Sequence, residues 1–277
     1  MTIITAKVIE DSISQHGVRL TTLQLCYPRF IHAEFMTHRV FSRNASSSRA
    51  IPVAKMIEQV RNGPAMPIHW GKNQPGMQAN EELTGEELAN AKEAWLTAAE
   101  LAATQASILH KIGAHKQVAN RILEPFQYMH VIVTATEWDN FFELRDHPDA
   151  QPEIHALAIV MKHAFANSRP VILLDGGWHL PYVTRAERAE HGHDIELLLK
   201  LSAARCARVS YLTHDGQEPS IEKDVALYER LVGGVPLHAS PIEHQATPLS
   251  EPDMWSGNFR GWLQNRKLVE SSFGESA

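Results

Sequence analysis

The chain has 277 residues, 44% of them hydrophobic and 21% charged, with a net charge of −6 at neutral pH. This composition belongs to a soluble globular protein that can bury a core without disulfide staples, and it excludes a disordered tail or a collagenous repeat. The acidic balance argues against a nucleic-acid partner, and no apolar run reaches the roughly 18–20 residues that cross a bilayer. Cys26 and Cys206 stand far apart among apolar neighbours and fit a reducing cytoplasm. The N-terminal MTIITAKVIEDS has none of the marks of a signal peptide, so a cytoplasmic location is expected.

In chain order, β-branched residues and an intervening glycine predict strands over 2–9 and 18–27. Phe30 to Thr37 reads as helix or turn, and the Ser-rich 42–52 as a loop closed by Pro52. Residues 63–82, punctuated by Gly and Pro, read as a long irregular connection. Thr84 and Glu87 form a capping-box pattern that opens a helix with Leu88, Trp95, Ala98, Ala102 and Leu109 on one face, ended by Gly113. Further helices are predicted over 115–123, 151–165, 194–202 and 221–232. A strand or buried segment is predicted over 129–135, and a short buried strand within 168–183. The last 30 residues mix turns with an amphipathic stretch, 258–269.

The densest chemistry lies in HRVFSRNASSSR, residues 38–49, where Arg39, Arg43 and Arg49 alternate with Ser42, Ser46, Ser47 and Ser48. Guanidinium forks match phosphate oxygens, and hydroxyls with loop N–H groups complete an anion cradle; a solvated serine loop is the plainer reading. Arg121 and Arg145 sit in apolar surroundings and need partners, through internal ion pairs such as Glu124 or Asp146, or through a ligand. HASPIEH (238–244) and HGHD (191–194) carry metal-ligand residue types, but neither shows a full ligand set, and no metal site is expected. No nucleophile elbow or reactive-cysteine context occurs.

THRVFSRNASSSR resembles the signature of the flavin-dependent thymidylate synthases, with His38, Arg39, Asn44, Ser47 and Arg49 in register. Thr37 stands where the family has an arginine, and Ala45 where it commonly has an acidic residue. NRILEP, NFFELRDHPDAQPEI, AARCARVSY and HASPIEH are similar to other blocks of the same family. Their order differs, because the Ala-Ala-Arg and Ser-Pro-x-Glu-His blocks follow the signature by about two hundred residues instead of preceding it. The chain therefore resembles a circularly permuted relative, and NFRGWLQNRK (258–267) leaves partial duplication open.

The resemblance implies a single α+β domain over 1–277, with a central, mostly antiparallel sheet flanked by long helices and family blocks at 37–49, 121–154 and 203–244. It implies a cytoplasmic homotetramer that methylates a pyrimidine deoxynucleotide monophosphate, dUMP to dTMP, with FAD as cofactor and NADPH and methylene-tetrahydrofolate as co-substrates. Ser47 and Arg49, with Ser46 and Glu34, would bind the nucleotide. Arg121 and Arg145 would bind it and stabilise negative charge on the pyrimidine. His38, Arg39, Asn44, Asn140, Ser210, His238, Ser240 and Glu243 would line the flavin. The alternatives are dCMP as substrate, hydroxymethylation, a non-catalytic nucleotide-binding relative, or a metal-dependent hydrolase built on HGHD. If the chain is permuted, the 238–244 turn must approach the 38–49 loop, and residues 245–249 must lie beside or pair with 18–27.

Overall fold

Residues 2–209 and 220–274 are described by a computed structural model, with side chains through Ser272. The β-branched N-terminal runs form a hairpin, β1 (Thr5–Ser14) and β2 (Arg19–Pro28), with Thr5 opposite Cys26. Gly17 takes a φ of +84° in the connecting turn, a conformation open to glycine at no steric cost. The chain then makes a short helix, α1 (His32–Phe35), and strand β3 (Ser42–Ala45), where composition predicted only loop. Next come α2 (Val53–Asn62), α3 (Gly85–Lys111), α4 (Lys116–Ala119), β4 (Tyr128–Ala135), α5 (Asp139–Arg145), α6 (Pro152–Ala166) and β5 (Val171–Leu173).

These strands build a five-stranded sheet in the order β3-β4-β2-β1-β5, antiparallel except where β5 runs parallel to β1. The α+β architecture with a mostly antiparallel sheet is thus the one expected. Alternation along β4 separates two layers. Val131 and Val133 join Leu23, Leu25 and Tyr27 against Ile154, Leu157 and Met161 of α6 and a cluster of Phe35, Phe41, Trp138 and Phe141. Ile132 points to the other face, where it meets Cys206 and Val209. Beside the sheet, Met56, Ile57 and Val60 of α2 pack on Ala99, Ala103 and Ala106 of α3 and on Leu123 and Phe126.

Three local expectations need correction. Thr84 precedes α3, but its side chain makes no capping bond, because Gly85 turns the chain at the helix entry with a φ of +56°. The buried stripe of α3 runs through Ala99, Ala103 and Ala106, with Ala98 on the outer face. β5 is exposed, since it is the sheet edge and no layer covers Val171 and Ile172.

The C-terminal part comprises α7 (Arg185–His191), α8 (Ile195–Arg208), α9 (Ile221–Val232), β6 (Ala246–Pro248), β7 (Trp255–Ser256), β8 (Phe259–Arg260), β9 (Trp262–Gln264) and α10 (Asn265–Gly274). Here Thr184 and Glu187 do form a capping box, at the start of α7. A chain of buried polar groups fastens this part to the sheet. Ser12 Oγ meets His179 Nδ1 at 2.9 Å, and His179 Nε2 meets Thr22 Oγ1 at 2.8 Å. Thr22 meets Thr134 at 2.7 Å, and Thr134 meets His244 Nδ1 at 2.8 Å. Both histidines are fully buried, and burial holds them uncharged, with His244 lowered to about 3. In the segment after the 238–244 turn, Ala246 shares an apolar cluster with Val18, Leu20, Phe259 and Trp262. Its backbone pairs with β9 and with His179, while β2 pairs with β1 and β4.

Candidate functional site

His244 anchored on Thr134 sets the position of the turn before it. That turn, a 3-10 turn over Ser240–Glu243, packs on β3, and Gln264 Nε2 donates to both Ser42 Oγ and the Glu243 carbonyl at 2.9 Å. Two segments distant in sequence thereby enclose a cavity of about 500 Å3. Asn44, Ser47 and Arg49 line one side, His238 and Ser240 the other, Lys116 and Gln117 the rim, and Ala207, Leu231 and Pro241 supply apolar surface. Arg49 is exposed, and its guanidinium meets no carboxylate among the described residues. Lys116 Nζ donates to the Ala50 carbonyl at 3.2 Å, which keeps a second cation at this rim. Cations and hydroxyls around an open cavity with an apolar wall suit an anion joined to a flat ring.

The cradle is held from below by Asn120, which the composition did not single out, and by serines of the loop itself. Asn120 is fully buried and donates to the carbonyls of Ser48 and Ile51, at 2.7 and 3.0 Å. Ser46 continues the β3 ladder: its N–H donates to the His130 carbonyl, and its Oγ accepts the His130 N–H. Its hydroxyl is thus bonded to the sheet. Ser48 Oγ donates to Glu124 at 3.3 Å, and Glu124 also accepts from Arg121 at 2.7 Å and Arg29 at 3.0 Å. Arg121 therefore has the internal partner its sequence suggested. The NRILEP block carried the signal for Asn120 beside Arg121, but a buried amide is invisible to composition. Lys116 and Gln117 carried no signal.

Arg145 belongs to a second cluster, outside the cavity lining. It donates to His38 Nε2 at 3.0 Å, Glu34 Oε2 at 3.1 Å and Thr37 Oγ1 at 3.3 Å. Its partner is Glu34; Asp146 instead pairs with Lys162 at 2.7 Å and His155 at 3.5 Å. Because an arginine only donates, His38 Nε2 carries the lone pair and Nδ1 the proton. Burial, then Arg145 and Arg43, lower the His38 pKa to about 4, so the ring is neutral at pH 7. Arg43 is spent on the fold: it donates to the carbonyls of Phe35, Met36 and His38 at the end of α1.

The remaining candidates fall apart in space. Asn44 lines the cavity and donates to the Cys206 carbonyl at 3.4 Å. Arg39 and Asn140 are exposed and stand outside the cavity lining, as do Glu34, His38, Arg121 and Arg145. Glu243 is ion-paired with Arg266, which also holds Glu270 at 2.6 Å. Ser210 lies outside the described residues. Arg205, in the Ala-Ala-Arg block, is locked between Glu187 at 2.5 Å and Asp224 at 2.8 Å. In HGHD, Asp194 caps α8 by accepting the Leu197 N–H at 3.0 Å. Among the described residues no group of three or more His, Cys, Asp or Glu is placed to hold a metal ion. No helix among them is long and apolar enough to cross a membrane.

The family model of the thymidylate synthase complementing protein, Thy1, matches residues 13–171. That span holds the signature loop, Asn120, Arg121 and Arg145, and it ends before the 203–244 blocks. Among solved structures, a UMP/dUMP methylase, PolB from Streptomyces cacaoi, crystallised with 5-Br UMP, is similar in fold. Its TM-score is 0.51 at 17% identity, over 62% of this chain and 92% of that one. The same protein with 5-Br dUMP aligns over the same shares at a TM-score of 0.47. No curated protein sequence matches the chain.

Proposed function

The chain belongs to the Thy1 family of thymidylate synthase complementing proteins, and on that premise we propose that it methylates a pyrimidine deoxynucleotide, converting dUMP to dTMP with methylene-tetrahydrofolate and NADPH. The observation that carries this reading is the cradle itself: Arg49, free of carboxylates among the described residues, beside Ser47, Lys116 and Gln117 at the rim of a cavity of about 500 Å3. The nucleotide phosphate would lie on Arg49, Ser47 and the loop N–H groups, where charge-assisted bonds are strongest. Arg145 would stabilise negative charge on the pyrimidine, with neutral His38 and Glu34 fixing the direction of its guanidinium.

The donor set also fits FAD, because the Asn44 amide, His238 ring and Ser240 hydroxyl border an apolar wall that a planar ring system can cover. Those three residues would hold it, and FAD when bound supplies hydride. Arg39, Asn140 and the Arg145 cluster stand outside this cavity in a single chain, so their part in binding requires a second copy, consistent with a homotetramer. A permuted arrangement of family blocks is supported by the way the 238–244 turn packs on β3 and Ala246 joins the apolar cluster that holds Leu20. A cytoplasmic location follows from nucleotide synthesis. A second reading, a nucleotide-binding relative without turnover, is favoured by one feature: Arg145 already has Glu34, Thr37 and His38 as partners.

Calorimetric titration with dUMP and dCMP, followed by turnover with NADPH and methylene-tetrahydrofolate, tests these readings. Arg49→Ala should weaken dUMP binding by about 1–3 kcal/mol without lowering the melting temperature. Unchanged affinity would remove the phosphate assignment. Binding without turnover would select the second reading, and preference for dCMP would change the substrate.

A further inference from the structure

A second cavity, of about 770 Å3, opens on the same face of the sheet as the first. Asn44, Ile132, Gln24 and Lys7 stand opposite one another across β3, β4, β2 and β1. Residues directly opposite in a ladder share a face. Asn44 lines the first cavity, and Gln24 and Lys7 line the second. The next row on that face, His130, Cys26 and Thr5, lies within the second cavity. His130 links the two, because its backbone N–H and carbonyl are both bonded to Ser46, the neighbour of Ser47 in the cradle. The facing wall is α2. Its Met56, Ile57 and Val60 turn to the core, while Lys55, Glu58, Gln59 and Asn62 share the other face and line the cavity.

The polar groups of the floor have their hydrogen-bonding sense set by bonds they already make. Tyr182 Oη donates to Gln24 Oε1 at 2.7 Å, which leaves the Gln24 NH2 group to donate. Gln127, only 4% exposed, donates from Nε2 to the Asn120 carbonyl at 3.3 Å, which leaves Oε1 to accept. The Ile3 N–H donates to Tyr128 Oη at 3.2 Å, which leaves the hydroxyl proton to donate. Burial lowers the His130 pKa, so its neutral ring offers one donor and one acceptor. Between these groups lie Cys26 and Phe126, and burial raises the Cys26 thiol to about 11, so it stays an uncharged surface. Alternating donors and acceptors over such a surface match the edge and the flat side of a nitrogen heterocycle. Three strands at about 4.8 Å spacing make the floor about 10 Å wide, enough for two fused rings. At the edge Lys7 is exposed and pairs with no carboxylate among the described residues, and Lys55 lines the cavity from α2. These two cations face one carboxylate, Glu58, in the lining. The balance favours an anionic tail.

We propose that this cavity binds a flat, fused nitrogen heterocycle carrying an anionic tail, in a subsite separate from the nucleotide cradle. Both co-substrates of the reaction proposed above, the reduced folate and NADPH, have that chemistry. The choice of these two probes rests on that reading; the cavity and its donor pattern do not.

Calorimetric titration of the full chain with methylene-tetrahydrofolate, NADPH and dUMP, each alone, tests this. The variants are Lys7→Glu on an exposed strand position and Gln59→Trp on the exposed face of α2, which fills the cavity; thermal melting verifies that both fold. Methylene-tetrahydrofolate or NADPH should bind the wild-type chain, and whichever binds is the occupant. Its affinity should fall roughly tenfold in Lys7→Glu, the scale of one charge-assisted bond, and vanish in Gln59→Trp. The dUMP affinity should stay unchanged in both variants. Binding of neither probe would overturn the proposal, as would a probe that keeps wild-type affinity in both variants. A parallel loss of dUMP affinity would also overturn it, because the cavity would then be part of the nucleotide cradle. Failure of dUMP to bind the wild-type chain would sink the nucleotide reading instead, and the other two titrations would still decide this one.

Discussion

Arg49 and Arg205 come from blocks that look alike in sequence, each an arginine among small residues, yet the fold uses them in opposite ways. Arg205 is only 11% exposed and is clamped by Glu187 and by Asp224, which is itself fully buried. Arg49 projects into the open rim, and the loop beneath it is held by Asn120 and Ser46. An arginine with its donors spent inside the protein braces α8 against α7 and α9. One whose donors meet solvent is available to a ligand. The same contrast separates the buried histidines His179 and His244, closed within the sheet, from the exposed His238 at the cavity.

The largest expected effect comes from acid, which attacks the closed interior first. Burial lowers His32 and His38 to about 4 and His244 to about 3, and it lowers His179 as well. The unfolded chain takes up these protons near pH 6.5, while the folded chain resists them. The stability that these groups supply is therefore complete above pH 6.5 and is lost as pH falls through about 4 and then 3. Glu10 works the other way: burial raises it to about 7, so its contribution is lost as pH rises from 4.5 towards 7. Chemical denaturation across pH 4–8 should show the histidine effect dominating, with cooperative unfolding at the acid end. A chain equally stable at pH 4 and pH 7 would contradict this picture of the interior.

Arg205→Ala comes next. It strips one partner from the buried Asp224 and leaves Arg208, at 2.7 Å, as the other. Removing one member of a buried pair costs about 3–5 kcal/mol, and the surviving Arg208 contact places this case at about 3. Thermal melting should fall by many degrees. If melting is unchanged while nucleotide binding falls, Arg205 belongs with Arg49, and the contrast between them fails.

Asn120→Ala should cost about 1–3 kcal/mol, because the Ser48 and Ile51 carbonyls lose their donor inside the protein. It should also weaken dUMP binding, since the loop carrying Arg49 loses its anchor. Hydrogen exchange at residues 46–51 should quicken; unchanged exchange there would mean that β3 alone holds the loop. Arg121→Ala is the smallest effect on stability. Its pair with Glu124 is more than half exposed on the arginine side, and Arg29 retains the carboxylate. The cost should stay below about 1 kcal/mol. Turnover that collapses with so small a change would place Arg121 at the nucleotide, whereas turnover near wild type would leave it a surface pair.

Much of the sheet was legible because its signals are local. The β-branched runs either side of Gly17 predicted strands over 2–9 and 18–27, which pair as β1 and β2, and MHVIVTA predicted a strand or buried segment where β4 lies. The misreadings have a common cause. Ser42 to Ala45 read as loop because small polar residues have weak strand preference, yet pairing with β4 decides their conformation. Ala98 shares the helical spacing of Trp95, Ala102 and Leu109, yet only those three pack on the cluster with α2, because alanines occur all round α3 and the buried stripe is ambiguous until α2 selects it. Val171 and Ile172 read as buried because an apolar run does not reveal that its strand lies at the edge.

The sequence alone determined the family, through His38, Arg39, Asn44, Ser47 and Arg49 in fixed register, and with it the α+β class. Those are properties of residue type and spacing, which a linear chain states directly. Only the tertiary structure decided which arginines are spent and which are free, since that depends on Glu187, Asp224, Glu34 and Glu124 arriving from other elements. It also decided that the 238–244 turn packs on β3 and shares a cavity with Ser47 and Arg49, through His244 on Thr134 and Gln264 on Ser42. Contacts between residues more than a hundred positions apart leave no local pattern, because their energy comes from burying paired polar groups that only the folded chain brings together.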